Sequence, residues 1–100
     1  MGYKSVKISK DLYNNILNIT ISKDFKENLN YILGVGLAFA RYRGEAFYNK
    51  NINYSETVSI KIPFYTIKEI KEVKKNKMQK IPLNEYINIL IFVALEYLTK

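Results

Sequence analysis

Two short segments of the chain alternate apolar and polar residues, the pattern of a strand with one buried face. They cover residues 3–9 and 57–63, and their centres read Ser-Val-Lys-Ile and Ser-Ile-Lys-Ile. Val6 and Ile60 hold the same place in the two segments, 54 positions apart. A lone strand leaves its backbone groups unpaired and is unstable in water. The pattern therefore predicts two equivalent strands that pair antiparallel within one chain.

An amphipathic helix is predicted directly after each strand. Ser9 is a capping residue ahead of Asp11, and Pro63 occupies a place where a first helical turn tolerates proline. Apolar residues then recur at the helical period on one side of each segment. They are Leu12, Tyr13, Ile16 and Ile19 in the first half and Phe64, Ile67, Ile70 and Val73 in the second.

A second, more apolar helix follows in each half. One is predicted to begin after a Ser22 cap and to reach Ala40, and the other to follow Pro82 and to cover residues 83–98. Both segments are apolar around most of their circumference, which favours a place in the central core. Gly34 and Gly36 lie within the first of them and indicate a close helix approach or a kink.

These elements predict an α+β fold that is mostly α, with a two-stranded antiparallel ribbon over a four-helix core. The chain forms one domain, made of a first motif at residues 1–40, a connector at 41–56 and a second motif at 57–100. A further helical turn is expected at Glu45 to Tyr48. Exchange of strands between two chains, which gives a swapped dimer, remains an open alternative.

The composition of the 100 residues narrows the function further. Histidine and cysteine are absent, so a structural zinc site, a thiol nucleophile and a Ser-His-Asp triad are excluded. Tryptophan is also absent, and the presence of only two aspartates disfavours a carboxylate metal site. We expect no enzyme activity, no cofactor and no small-molecule substrate. The net charge of +7 favours a polyanionic partner. The sequence shows no secretory signal and its apolar runs are too short to cross a bilayer, which predicts a cytoplasmic protein without membrane contact.

The second half resembles the ribbon-helix-helix family of transcription regulators, the MetJ, Arc and CopG group. Ile60-Lys61-Ile62-Pro63 is similar to the family's strand-to-helix junction, and Leu83-Asn84-Glu85-Tyr86-Ile87 to the start of its second helix. Val6-Lys7-Ile8-Ser9 matches with serine in place of proline. Because the family forms its ribbon from two chains, a tandem copy resembles a covalent pseudo-dimer. Regulators of archaeal viruses include this tandem form, and a viral origin would imply the host cytoplasm.

The resemblance implies a sequence-specific regulator that binds double-stranded DNA through a ribbon in the major groove. Carried over by register, the implied base-reading residues are Tyr3, Ser5, Lys7, Thr57, Ser59 and Lys61. The family also docks the beginning of its second helix on the DNA backbone, where free N–H groups favour a phosphate. The matching residues are Ser22, Lys23, Lys80 and Ile81.

Other functions fit the same composition. A DNA-packaging protein or a single-strand nucleic-acid-binding protein would use the same lysines and the nine tyrosines. An antitoxin-like interaction module would instead present its apolar helices to another protein. Surplus apolar surface on the second helices also predicts self-association of several units along DNA.

Overall fold

The computed structural model describes residues 2–19, 21–42, 51–77 and 80–99. Two strands and four helices follow one another in the predicted order, and the mostly helical α+β class is confirmed. Their bounds are β1 Tyr3–Ser9, α1 Lys10–Asn18, α2 Phe25–Tyr42, β2 Thr57–Pro63, α3 Phe64–Asn76 and α4 Leu83–Leu98. Arg41 and Tyr42, predicted as connector, belong to α2. The helical turn predicted at Glu45 to Tyr48 lies outside the described residues.

The two strands form an antiparallel ribbon whose register follows the sequence repeat. Val6 lies opposite Ile60, the residue that the 54-position spacing makes its equivalent. Val6, Ile8, Ile60 and Ile62 are buried, and the intervening Lys7 and Lys61 are exposed. The predicted pairing and the predicted faces are therefore confirmed.

One further hydrogen bond at each end extends this ladder into the helices. The N–H of Lys10, the first residue of α1, donates to the Glu56 carbonyl at 3.0 Å. The N–H of Phe64, the first residue of α3, donates to the Gly2 carbonyl at 3.1 Å. A helix leaves its first N–H groups without an intrahelical partner, so the residue just ahead of each strand accepts one such donor from the helix that follows the other strand.

The core lies beneath the ribbon and between the helices. It is built from aliphatic residues of every element, and Tyr86 is its largest fully buried side chain. Helices α2 and α4 contribute the most, in agreement with their predicted central position. Their buried apolar residues are Leu29, Ile32, Leu33, Leu37, Ala40, Tyr86, Ile87, Ile89, Leu90, Ile91, Ala94 and Leu95. Of the helices described, none has the length and hydropathy that a bilayer crossing requires.

The caps at two helix starts differ from the prediction. Ser9 precedes α1, but its hydroxyl makes no capping bond and is buried without a hydrogen-bond partner in the described residues. At α2 the cap is Asp24, whose carboxylate accepts the N–H of Lys26 at 3.0 Å. Ser22 lies outside the helix, and its hydroxyl accepts the N–H of Asp24 at 3.1 Å. Serine and aspartate are equally good N-caps, so composition alone could not choose between them.

Gly36 allows α2 and α4 to approach closely. A Cβ atom at this position would lie 2.6 Å from the Leu90 carbonyl oxygen and 3.0 Å from its carbonyl carbon. A Cβ atom at Gly34 would meet nothing within 4 Å. Of the two sequence-based interpretations, the close approach is confirmed for Gly36, and Gly34 has no packing role of this kind.

The two glycines form a matched pair for a stability test. We expect Gly36→Ala to lower the free energy of unfolding by about 1–3 kcal/mol, because the added methyl group must displace the backbone of α4. Gly34→Ala should raise it by up to about 1 kcal/mol, because alanine favours the helix and meets open space. Denaturant titration of both variants measures the difference. A Gly36→Ala variant as stable as Gly34→Ala would contradict the described helix contact.

The strand register is testable by disulfide formation, since the chain has no native cysteine. Ser5 lies directly opposite Lys61. Directly opposed residues of an antiparallel pair lie within the span that a disulfide bridges. We therefore expect the Ser5→Cys, Lys61→Cys double variant to form an intrachain disulfide and to migrate as an oxidised monomer on a non-reducing gel.

The control combines Ser5→Cys with Ser59→Cys, which occupy the same face but are not paired. Their diagonal separation of roughly 7–8 Å is too long for an unstrained bridge, so little oxidation is expected. Efficient cross-linking of the control would contradict the register. A disulfide-linked dimer of the first variant would instead indicate a swapped pairing between two chains.

Candidate nucleic-acid interface

Four predicted base-reading residues form a compact group on the outer face of the ribbon. Ser5 pairs with Lys61, and Lys7 pairs with Ser59. All four side chains are exposed. Directly opposed residues of an antiparallel pair point to the same face, so each serine hydroxyl lies beside a lysine of the other strand. We call this group the ribbon face.

The ribbon face carries positive charge that no ion pair among the described residues neutralises. Its two lysines, Lys7 and Lys61, lie on a diagonal across the two strands. The described ion pairs include Lys10 with Glu56 at 3.3 Å and Arg41 with Glu69 at 2.6 Å, and no ion pair of a ribbon-face lysine is found among the described residues. Two like charges held on a rigid ladder repel each other, and an anionic partner would relieve that repulsion.

The other two predicted base-reading residues lie at the ends of the ribbon. Tyr3 is opposite Pro63, and the Lys26 ammonium from α2 lies 5.6 Å from the centre of its ring. This distance allows a cation–π contact. Thr57 is exposed and lies opposite Ser9, next to the Lys10–Glu56 ion pair. Both residues therefore flank the ribbon face.

The beginning of α4 lies at the outer edge of β1. The Asn84 side chain, in the first turn of α4, hydrogen bonds to the backbone of Lys7. Pro82 precedes the helix and provides no side-chain cap, so the first N–H groups keep their attraction for an anion. Lys80 is exposed and Ile81 is half-buried just ahead of this turn. These two predicted phosphate-binding residues therefore lie just ahead of the helix start that contacts β1.

The beginning of α2 is less open to a phosphate. The Ser22 N–H donates to the Asn28 side chain at 2.9 Å, and the Ser22 hydroxyl donates to Glu27. The Asp24 carboxylate already caps the helix. Lys23 is exposed between Ser22 and Asp24. Because both donors of Ser22 are occupied and two carboxylates lie close by, Lys23 is the better candidate of the two predicted residues.

Two asparagines that hold the interface together were missed by the sequence analysis. Asn84 and Asn88 lie one turn apart on α4, and Asn88 is fully buried. Its side chain accepts the Ser9 N–H at 2.9 Å and donates to the Lys7 carbonyl at 3.1 Å. A buried asparagine needs hydrogen-bond partners. An asparagine within a strongly apolar helix was therefore the available signal for a polar contact, although not for the identity of its partners.

Tyr54, near the end of the connector, lies close enough to Glu85 in the first turn of α4 for the two groups to interact electrostatically. Burial raises the pKa of Tyr54, and the neighbouring negative charge of Glu85 raises it further. The Tyr54 phenol is therefore neutral at physiological pH, and it adds no second negative charge beside Glu85.

The chain matches no protein-family model, no curated protein sequence and no solved structure. The resemblance to ribbon-helix-helix regulators consequently rests on the quoted residues alone. A search of the described residues also finds no group of three or more acidic, histidine or cysteine side chains that could hold a metal ion. The features that bear on function are therefore the geometry and charge of the ribbon and of the two helix starts beside it.

Proposed function

We propose that this chain is a tandem ribbon-helix-helix pseudo-dimer that binds double-stranded DNA in a sequence-specific manner and regulates transcription. The observation that carries the proposal is the ribbon face, where Ser5 lies beside Lys61 and Lys7 beside Ser59 on one exposed surface. A two-stranded ribbon fits the major groove of B-DNA, which is roughly 12 Å wide.

The element lengths support a duplicated motif. Helices α1 and α3 both begin directly after their strand, at Lys10 and Phe64, 54 positions apart. The linkers to the second helices, residues 19–24 and 77–82, have the same length. Helix α1 has 9 residues and α3 has 13, which shifts the spacing of the second helices to 58. The halves therefore differ by about one helical turn in the first helix.

The chemistry of the ribbon face suits base recognition. A lysine ammonium donates to O6 and N7 of guanine, and a serine hydroxyl both donates and accepts. In the proposed complex Lys7 and Lys61 each read one half of the site, with Ser59 and Ser5 beside them. Tyr3 and Thr57 differ between the strands, so the two halves of the site need not have the same sequence.

Contacts to the DNA backbone would fix the ribbon in the groove. Phosphate contacts set the register and orientation of a protein on the duplex, and base contacts supply the specificity. The beginning of α4 with Lys80 is the first candidate, and Lys23 ahead of α2 is the second. The net charge of +7 adds a nonspecific attraction that weakens with salt.

Self-association along DNA remains part of the proposal. Exposed apolar residues gather near the C-terminal ends of α2 and α4, where Phe39 and Tyr97 pack edge to face with ring centres 5.0 Å apart. Tyr42 is 83% exposed at the same place. Helix α4 contacts β1 at Asn84 and carries Tyr97 roughly 20 Å further along its axis, so contacts through this surface would leave the ribbon face available to DNA.

Alanine substitution of the two ribbon-face lysines tests the proposal. We expect Lys7→Ala and Lys61→Ala each to weaken binding to a preferred duplex by about 1–3 kcal/mol and to relax selectivity at one position of the site. The melting temperature should stay nearly unchanged, because both side chains are exposed. The measurement is a selection of bound duplexes from random DNA at several salt concentrations, followed by titration of the enriched sequence.

The matched control is Lys75→Ala. Lys75 is exposed in the last turn of α3, roughly 16 Å along the helix axis from its beginning. Its removal should lower affinity slightly and equally for all sequences. If Lys7→Ala and Lys61→Ala weaken binding equally on every DNA sequence, the two lysines contact phosphates and do not read bases. Steep salt dependence without an enriched sequence would indicate packaging, and tighter binding to single strands would contradict the proposal.

A further inference from the structure

The outer edge of β1 is occupied by a side-chain amide from α4. The Asn84 Oδ1 atom accepts the N–H of Lys7 at 3.2 Å, and its Nδ2 atom donates to the carbonyl of Lys7 at 2.9 Å. One amide thus satisfies both backbone groups of a single strand residue, as a neighbouring strand would. This contact joins residues 77 positions apart and ties the strand to the beginning of α4.

Asn88 reinforces this contact from the buried side. It accepts the N–H of Ser9 at 2.9 Å and donates to the Lys7 carbonyl at 3.1 Å and to the Asn84 carbonyl at 2.8 Å. The Oδ1 acceptor and the Nδ2 donor group of Asn88 therefore both take part in hydrogen bonds. The pair Asn84 and Asn88, which we call the amide clamp, covers successive backbone groups along the edge of β1.

The equivalent edge of β2 has no such clamp. The repeat makes Lys61 the counterpart of Lys7, and the 58-position spacing of the second helices makes Lys26 the counterpart of Asn84. Lys26 instead places its ammonium over the Tyr3 ring. Across the part of the chain that the structure describes, no side chain hydrogen bonds to the backbone of Lys61. Among the described residues, such a side-chain clamp is therefore found along the edge of β1 and not along that of β2.

We propose that Asn84 is a positioning residue that makes the two halves of the DNA site unequal, so that bases facing Lys7 are discriminated more strictly than those facing Lys61. A clamped strand cannot shift to accommodate a wrong base, and the mismatch then costs its full contact energy. The unclamped edge of β2 allows small movements of that strand, and these recover part of the contact energy that a mismatch would otherwise cost. This inference rests on the proposed function.

The first measurement concerns the clamp itself and needs no DNA. Hydrogen exchange of the Lys7 amide should be at least about tenfold slower than that of the Lys61 amide, since only the first is bonded to a side chain. Asn84→Ala should remove most of this difference, and Lys26→Ala at the equivalent position should not. Asn84 is exposed, so its substitution leaves the core intact. Equal exchange of the two amides in the wild-type chain would overturn the inference.

The second measurement compares discrimination in the two halves of the enriched duplex. Every position is substituted singly, and Lys7→Ala and Lys61→Ala identify which half each strand faces. We expect a mismatch to cost about tenfold or more in the Lys7 half and about threefold in the Lys61 half. Asn84→Ala should lower the cost in the Lys7 half to about threefold, whereas Lys26→Ala should leave the ratio unchanged.

The outcomes separate this inference from the function on which it rests. A wild-type chain that prefers no duplex sequence would overturn both proposals. A preferred sequence with equal mismatch costs in its two halves, or with costs that Asn84→Ala lowers equally in both, would overturn the positioning role alone. Sequence-specific binding would then stand, with Lys7 and Lys61 as equivalent contacts.

Discussion

The antiparallel pairing of β1 with β2 is the interaction on which the rest of the molecule depends. Each strand alone would expose a row of unpaired N–H and C=O groups, and the partner strand satisfies those of the inner edge. The same register buries Val6 and Ile60 and holds Lys7 and Lys61 on the opposite face. A shift by one residue would exchange the two faces and place the lysines in the core. The strand pairing that stabilises the fold therefore also places the basic residues on the exposed face.

Much of this arrangement follows from local residue patterns and from the internal repeat, and could be predicted. Alternation of apolar and polar residues gave both strands, and the repeat of Val6 at Ile60 gave their pairing. Helix α4 begins directly after Pro82 and ends at Leu98, as predicted, because proline fixes the backbone at a helix start and the apolar run marks its extent. Features that follow from neighbouring residues or from the repeat could therefore be predicted from the sequence.

The remaining features depend on contacts between distant parts of the chain. Asn88 lies 79 positions from the Ser9 N–H that it accepts, so no local pattern identifies that partner. Serine is a common capping residue, but Ser9 is buried at the end of β1 and its hydroxyl makes no hydrogen bond in the described residues. The choice of Asp24 over Ser22 as the cap of α2 likewise depends on the turn between α1 and α2. The candidate interface was therefore predictable in its strand residues but not in the helix residues that hold it.

The central claim is that the ribbon face is the surface that meets duplex DNA. Titration of the isotope-labelled chain with a duplex recovered from random-sequence DNA tests it directly, with backbone amide NMR shifts as the readout. We expect the largest changes at Ser5, Lys7, Ser59 and Lys61, with smaller ones at the beginning of α4 and none at Lys75. Changes confined to α3 or to the C-terminal ends of α2 and α4, with an unperturbed ribbon, would contradict the claim.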